Sequence, residues 1–266
     1  MRIGIVGCAG RMGRSLVRRV AATPGCVLAA VCDRPGFSGV GQDAGTLAGL
    51  EPLGVAVADG PAPVFAASRV VIDFTSPAAA VDHAALAVAH GCALVIGTTG
   101  LPAAVEAALA EAAGHVPIVA APNMSVGVNL LLGLVKQVAR TLDPSFDIEI
   151  LEMHHRAKVD APSGTALALG QAAATGRGVT LEDAAVRVRD GHTGARRPGE
   201  IGFAVLRGGD VVGDHVVMFA GDGERIELAH RAGNREIFAR GAVTAALWTR
   251  DRPPGLYGMA DVLGLA

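Results

Sequence analysis

The chain has 266 residues, 51% of them hydrophobic and 18% charged, with a formal net charge of −2. This is the balance of a folded globular protein, and at this size roughly 70–75% of the unfolded surface can be buried without a staple. The slight negative charge and 3% aromatic content argue against a general nucleic-acid binder, which needs a basic surface and stacking rings. No apolar run approaches the roughly 20 residues of a membrane span. The apolar stretch Ile3–Val6 is too short for a signal-peptide core. Cys8, Cys26, Cys32 and Cys92 stand at spacings that match no zinc pattern. Reduced thiols, no metal and a cytoplasmic location are therefore expected.

In chain order, Arg2–Val6 reads as a short buried strand, followed by a glycine loop and a helical pattern over Arg14–Ala22. Val27–Cys32 reads as a second strand, completing a βαβ unit. Alternation continues: strand-like Val70–Phe74, helix-like Ala78–His90, strand-like Ala93–Ile96, helix-like Ala103–Ala113 and strand-like Ile118–Ala120. Strands spaced by helices predict a Rossmann-like, doubly wound parallel sheet. After Pro122 the pattern changes, with a long helix over Val126–Thr141 and a strand over Asp147–His155. The strand-like runs Phe203–Arg207, His215–Ala220 and Arg225–Arg231 then follow without helices. Consecutive strands predict a second, α+β domain with a mixed or antiparallel sheet. Ile237, Gly241, Ala245 and Trp248 share one helix face, and that helix is expected to pack on the first domain. The expected division is a dinucleotide-binding domain over 1–125, a substrate-binding and oligomerisation domain over 126–235, and a returning segment over 236–266.

The loop Gly7-Cys8-Ala9-Gly10-Arg11-Met12-Gly13 spaces its glycines as G-x-x-G-x-x-G. Alone, that is equally an ordinary strand-to-helix turn. Its place after a strand and before a helix makes it a candidate pyrophosphate cradle. Gly7 would permit the tight turn, Ala9 and Gly10 would let amides approach the phosphates, and Gly13 would let the helix pack closely. Asp33, 20 residues after Gly13, is placed to hold a ribose 2′-hydroxyl. Arg34 beside it can instead pair with a 2′-phosphate, so both NADH and NADPH are expected cofactors. F-T-S-P (Phe74–Pro77), G-T-T-G (Gly97–Gly100) and A-P-N-M (Ala121–Met124) fall at later strand ends, where ligands of parallel sheets bind.

The stretch from Glu152 to Ala166, E-M-H-H-R-A-K-V-D-A-P-S-G-T-A, is the most informative. His154, His155, Arg156 and Lys158 cluster, and Ser163, Gly164 and Thr165 open a helical run at Ala166–Ala174. A helix start rich in N–H and O–H donors suits a carboxylate. Hydride addition to C=N or a conjugated C=C builds negative charge that a positioned acid must neutralise. Histidine suits that role, and Lys158 can stabilise the charge. Adjacent strand residues face opposite ways, so His154 and His155 can share a site only if the strand ends between them. A solvated basic face is the bland alternative for this run. A Ser–His hydrolase lacks its G-x-S-x-G elbow. The glycine-rich R-D-G-H-T-G (Arg189–Gly194) is a candidate cover for the site.

Together these segments, with V-I-D-F-T-S-P, N-M-S-V-G-V-N and the late G-A-V-T-A-A-L-W, resemble the 4-hydroxy-tetrahydrodipicolinate reductase (dihydrodipicolinate reductase) family of bacterial lysine/diaminopimelate biosynthesis. The resemblance runs nearly end to end, and H-H-R-x-K-x-D-A-P-S-G-T-A is highly specific to that family. It implies dinucleotide binding by Gly7, Cys8, Ala9, Gly10, Arg11 and Met12, with Asp33 and Arg34 at the adenosine ribose. Gly97, Thr98 and Thr99 with Ala121, Pro122, Asn123 and Met124 would line the nicotinamide site, near Phe74. His154 would be the proton donor, Lys158 its partner, and His155, Gly164 and Thr165, with Ser163, the substrate's holders. It further implies a small cyclic dicarboxylate substrate and a homotetramer joined through the second domain's sheet. Asp33 stands where relatives often have Glu, Met124 where some have Phe, and Ser76 and Thr244 where some have Arg. A related dehydrogenase of amino acids or aldehydes would lack the Lys158 and Ser-Gly-Thr constellation, and a non-catalytic NAD(P)-binding regulator would need no proton donor.

Overall fold

The computed structural model describes residues 1–265. In chain order the elements are β1 (Arg2–Val6), α1 (Arg11–Ala21), β2 (Val27–Cys32), α2 (Ala44–Leu47), β3 (Val57–Ala58), α3 (Ala62–Ala67), β4 (Val70–Asp73), α4 (Pro77–His90), β5 (Ala93–Ile96), α5 (Ala103–Ala112) and β6 (Pro117–Ala120). Then come α6 (Val126–Thr141), β7 (Asp147–His154), α7 (Gly164–Arg177), α8 (Leu181–Ala184), β8 (Ala185–Val186), β9 (Ile201–Arg207), β10 (Asp214–Gly221) and β11 (Glu224–Arg231). The chain closes with α9 (Glu236–Trp248), a 3₁₀ turn at Thr249–Asp251, β12 (Gly255–Tyr257) and α10 (Met259–Leu263). It divides into two compact units, 1–126 with 235–266, and 127–234. Among the described residues no helix is long and apolar enough to cross a membrane.

The first unit is a seven-stranded parallel sheet in the order β12-β6-β5-β4-β1-β2-β3. The chain reverses direction across the sheet between β1 and β4, the switch point at which doubly wound sheets bind ligands beyond their strand ends. The central strands β1, β4 and β5 are buried on both sides and accordingly run almost continuously apolar. Ile3, Ile5, Ile72, Val95 and Val119 pack with Leu16 and Val20 of α1 and Ala242 and Val243 of α9. Val71, Leu94, Ile96 and Ile118 pack on the other side with Phe65, Ala84 and Leu109 of α3, α4 and α5.

The second unit holds a five-stranded mixed sheet in the order β11-β10-β7-β9-β8, antiparallel at β10 and parallel between β7, β9 and β8. Strict alternation along β7 sends Ile148, Ile150, Glu152 and His154 to the buried face. Ile148 and Ile150 join Phe203, Val217 and Phe219 beneath Leu131 and Val135 of α6 and Leu169 and Ala173 of α7. The opposite face carries Leu151, Met153, Val216, Met218 and Leu206, none fully buried.

α1 begins at Arg11, three residues before the expected start, because Gly10 is extended (ψ 166°) and serves as the N-cap. β7 ends at His154, one residue early, and that removes the objection to His154 and His155 sharing a site. Cys32 closes β2, so Asp33 lies just past the strand rather than in it.

Candidate active site

In the first unit, Gly7 adopts φ +76°, and its amide and that of Cys8 both donate to the Cys32 carbonyl, at 2.9 and 3.0 Å. At Gly13 a Cβ would overlap the Gly7 carbonyl and the Cys8 backbone, so only glycine lets α1 approach this closely. The amides of Ala9 and Gly10, expected to approach a pyrophosphate, are instead engaged within the protein. Ala9 donates to Asp33 Oδ2 at 2.7 Å and Gly10 to the Gly7 carbonyl at 3.3 Å. The donors open to an anion are those of the first turn of α1, where no side chain caps the helix and no acidic residue stands. Asp33 Oδ1 also accepts the Arg34 amide at 2.9 Å, while the Arg34 side chain is exposed. Cys8 can offer only backbone, since its side chain is 2% exposed and burial, with Asp33 nearby, pushes its thiol up to about 11.

The later strand ends are tied together. Asp73, fully buried at the end of β4, accepts the Thr75 amide at 2.7 Å, the Thr75 hydroxyl at 2.6 Å and His83 Nδ1 at 2.7 Å. A Cβ at Gly97 would overlap the Phe74 ring, so these two strand ends share a wall. A cavity of about 350 Å³ lies at the ends of β5 and β6, lined by Thr98, Thr99, Gly100, Ala121 and Pro122, with Leu256 behind. The Thr98 hydroxyl is buried without a partner, the state of a donor awaiting a ligand. Asn123 Oδ1 accepts the Ser125 amide at 2.8 Å. Met124 departs from expectation: its side chain is 1% exposed within the apolar core, so it can line a site only through its backbone. The uncapped turn, the close approach at Gly13 and the unpartnered hydroxyl fit a dinucleotide.

In the second unit, His154 Nδ1 lies 2.6 Å from Glu152 Oε2. Glu152 is fully buried. Its Oε2 and Oε1 accept Arg207 Nη1 at 2.7 Å and Nη2 at 2.9 Å, and Oε1 also accepts the Ser163 amide at 3.0 Å. Burial pushes Glu152 up, but Arg207, His154 and the Ser163 amide outweigh it and hold the carboxyl below the usual range. The His215 ring stands edge-on to His154 with centroids 5.1 Å apart. Burial, with His154 nearby, lowers His215 to about 4. His155 Nδ1 is buried without a partner.

Lys158 is bonded to Asp160, Nζ to Oδ1 at 2.7 Å and to Oδ2 at 2.9 Å. Two residues' spacing in a loop brings the opposite charges together. Ser163 is turned inward: its amide goes to Glu152, and its hydroxyl accepts the Ala166 amide at 3.2 Å and meets His215 Nε2 at 3.1 Å. It is the N-cap of α7, 2% exposed, so, against expectation, its own amide and hydroxyl are committed within the protein. Gly164 is exposed with open space at its Cα. Arg189 of R-D-G-H-T-G forks onto Glu149 at 2.8 and 2.9 Å, and Glu149 lies on the sheet face opposite His154. The loop's anchor is therefore on the far face from the site it was expected to cover. Glu152, Arg207, Asp160 and His215 were not singled out from sequence. For Glu152 a signal existed, because i and i+2 on a strand share a face.

The region described as "Dihydrodipicolinate reductase, N-terminus" matches residues 1–124, and "Dihydrodipicolinate reductase, C-terminus" matches 127–263. The chain belongs to the dihydrodipicolinate reductase family. The 4-hydroxy-tetrahydrodipicolinate reductase of Rhodopseudomonas palustris (strain BisB18) is 56% identical over 266 residues, covering 100% of this chain and 98% of its own. That of Allorhizobium ampelinum is 57% identical over 267 residues, at 100% and 99% coverage. The solved structure of dipicolinate-bound dihydrodipicolinate reductase from Paenisporosarcina sp. TG-14 shares the fold, with a TM-score of 0.78, 24% identity and 99% coverage of both chains. As a member of the dihydrodipicolinate reductase family, the protein is an NAD(P)H-dependent oxidoreductase.

Proposed function

We propose that the protein reduces 4-hydroxy-tetrahydrodipicolinate to tetrahydrodipicolinate in lysine/diaminopimelate biosynthesis, with NADH or NADPH, in the cytoplasm. One hydride and one proton enter the substrate and one water leaves. The observation that carries the reading is the buried Glu152–His154 pair, 2.6 Å apart, on the strand whose loop runs to the N-terminus of α7. The names of the full-length relatives at 56–57% identity support the same step.

When bound, a reduced nicotinamide supplies hydride. The first-turn amides of α1 would hold its pyrophosphate, with the tight glycine loop letting it approach, Asp33 and Arg34 would hold its adenosine ribose, and Thr98, Thr99 and Ala121–Asn123 would line its reactive end. His154 delivers the proton through Nε2, since Nδ1 is taken by Glu152. His155, Gly164 and Thr165 hold the dicarboxylate, and Lys158 adds positive charge beside it, exchanging Asp160 for a substrate carboxylate. Concentrating cationic donors where negative charge develops favours the transition state over the ground state.

The half-buried Leu151, Met153, Val216 and Met218 and the exposed Leu206 share one face of the second sheet. We read that face as the seat of a homotetramer, testable by light scattering coupled to size exclusion. The reaction is tested by adding the condensation product of pyruvate and aspartate semialdehyde and following NAD(P)H absorbance. Coenzyme oxidation that depends on that product is expected, and its absence with both coenzymes would overturn the assignment.

A further inference from the structure

We propose that the Glu152–Arg207 pair is a positioning device that sets which nitrogen of His154 carries the exchangeable proton and holds that acid in register with the loop entering α7. The inference rests on His154 being the proton donor of the reaction above.

A fully buried carboxylate has about four acceptor directions to satisfy. Here four donors converge: both arms of the Arg207 fork, the Ser163 amide and His154 Nδ1. The fork and the Ser163 amide keep Glu152 ionised and acceptor-only. The ring nitrogen facing it at 2.6 Å must therefore carry a hydrogen in both charge states of the imidazole. Nε2 is then the site that gains and loses a proton, a second-shell assignment of tautomer. Space is kept at Nε2 by Gly213, where a Cβ would come within 3.0 Å of that nitrogen.

The same pair reaches the loop. Arg207 Nη2 donates to the Asp160 carbonyl at 2.7 Å while Glu152 Oε1 takes the Ser163 amide at 3.0 Å. Both ends of the 160–163 segment are thus tied to one ion pair, and that pair also orients the ring. β7 and β9 run parallel with His154 opposite Arg207 in register, which is why a residue 55 positions away can clamp this carboxylate. A carboxylate serving stability alone would have no need to be aimed at Nδ1. Its removal would then change folding and leave the ring's proton where it was.

The test uses nitrogen-15 imidazole spectra of the intact protein alongside steady-state kinetics. Wild-type neutral His154 is expected to show a protonated Nδ1 and a bare Nε2. In Glu152→Gln the oxygen should keep the Oε1 position, which takes the Ser163 amide and Arg207 Nη2, leaving the amide at the Oε2 position facing Nδ1, so the proton should move to Nε2. Turnover should fall about 10²-fold with coenzyme KM changed by less than about twofold, and Glu152→Asp should recover part of the loss. A wild-type ring protonated at Nε2, or a folded Glu152→Gln protein with unaltered turnover or tautomer, overturns the proposal. The wild-type spectrum decides it even if Glu152→Gln does not fold. A wild-type protein with the expected ring but no reductase activity would defeat the proposed reaction instead, so the two failures are distinguishable.

Discussion

The rings of His215 and His154 meet at 75° with centroids 5.1 Å apart, and His215 shares the buried face of the second sheet with Glu152, its direct cross-strand partner. With His215 lowered to about 4, mainly by burial and then by His154, it is neutral in the folded protein at neutral pH. The unfolded chain takes up a proton near pH 6.5 while the folded one resists until about 4, so stability is complete above about 6.5 and drains away as pH falls toward 4. His230, also lowered by burial, adds in the same direction. The loss from His215 should reach at most about 3 kcal/mol. Urea unfolding at several pH values should show it, with a shallower decline in His215→Gln. Equal slopes in the two proteins would refute the assignment.

His154→Ala and Lys158→Ala should each lower turnover by about 10²-fold or more, the scale of general acid catalysis. NADH affinity should stay nearly intact, because neither residue belongs to the first unit, where the dinucleotide is proposed to bind. For Lys158→Ala the exposed Asp160 loses only a surface partner, so stability should change by less than about 1 kcal/mol. Wild-type turnover in either variant would remove that residue from the mechanism.

Gly241 in α9 lies directly against the Met124 carbonyl, where a Cβ would overlap it. Gly241→Ala should therefore destabilise the protein by about 1–3 kcal/mol, the usual cost of overpacking. It should also weaken coenzyme binding by displacing the Ala121–Met124 loop. Thermal melting and coenzyme titration check the two effects, and an unchanged melting temperature would sink the argument.

Arg34→Ala should weaken NADPH more than NADH, because only the former offers a 2′-phosphate to the exposed guanidinium. Asp33 is held by the amides of Ala9 and Arg34 at 2.7 and 2.9 Å, so its carboxylate stays in place whichever coenzyme arrives. Calorimetry on both coenzymes is the check, and equal losses would exclude the 2′-phosphate role.

Period and turn chemistry are local properties, and what they govern was legible in the chain itself. The bounds of β1, β2 and α6 agree with the pattern to the residue, and the mixed second sheet follows from strands that succeed one another without helices. The glycine loop and the His154–Lys158 cluster are contiguous and stood out for the same reason. The short α2, β3 and β12 were not visible, since two to four residues carry no period and their strands exist only through pairing with β2 and β6. The commitments of polar groups were likewise hidden. Nothing within a few residues of Glu152 announces Arg207, of Ser163 announces His215, or of Ala9 announces Asp33. Each of those bonds joins segments that only the register of the folded sheets brings within 3.1 Å. The chain's own order thus decides where strands, helices and donors lie, while tertiary pairing decides which donors remain free, because a hydrogen bond already made in the fold is withdrawn from any ligand.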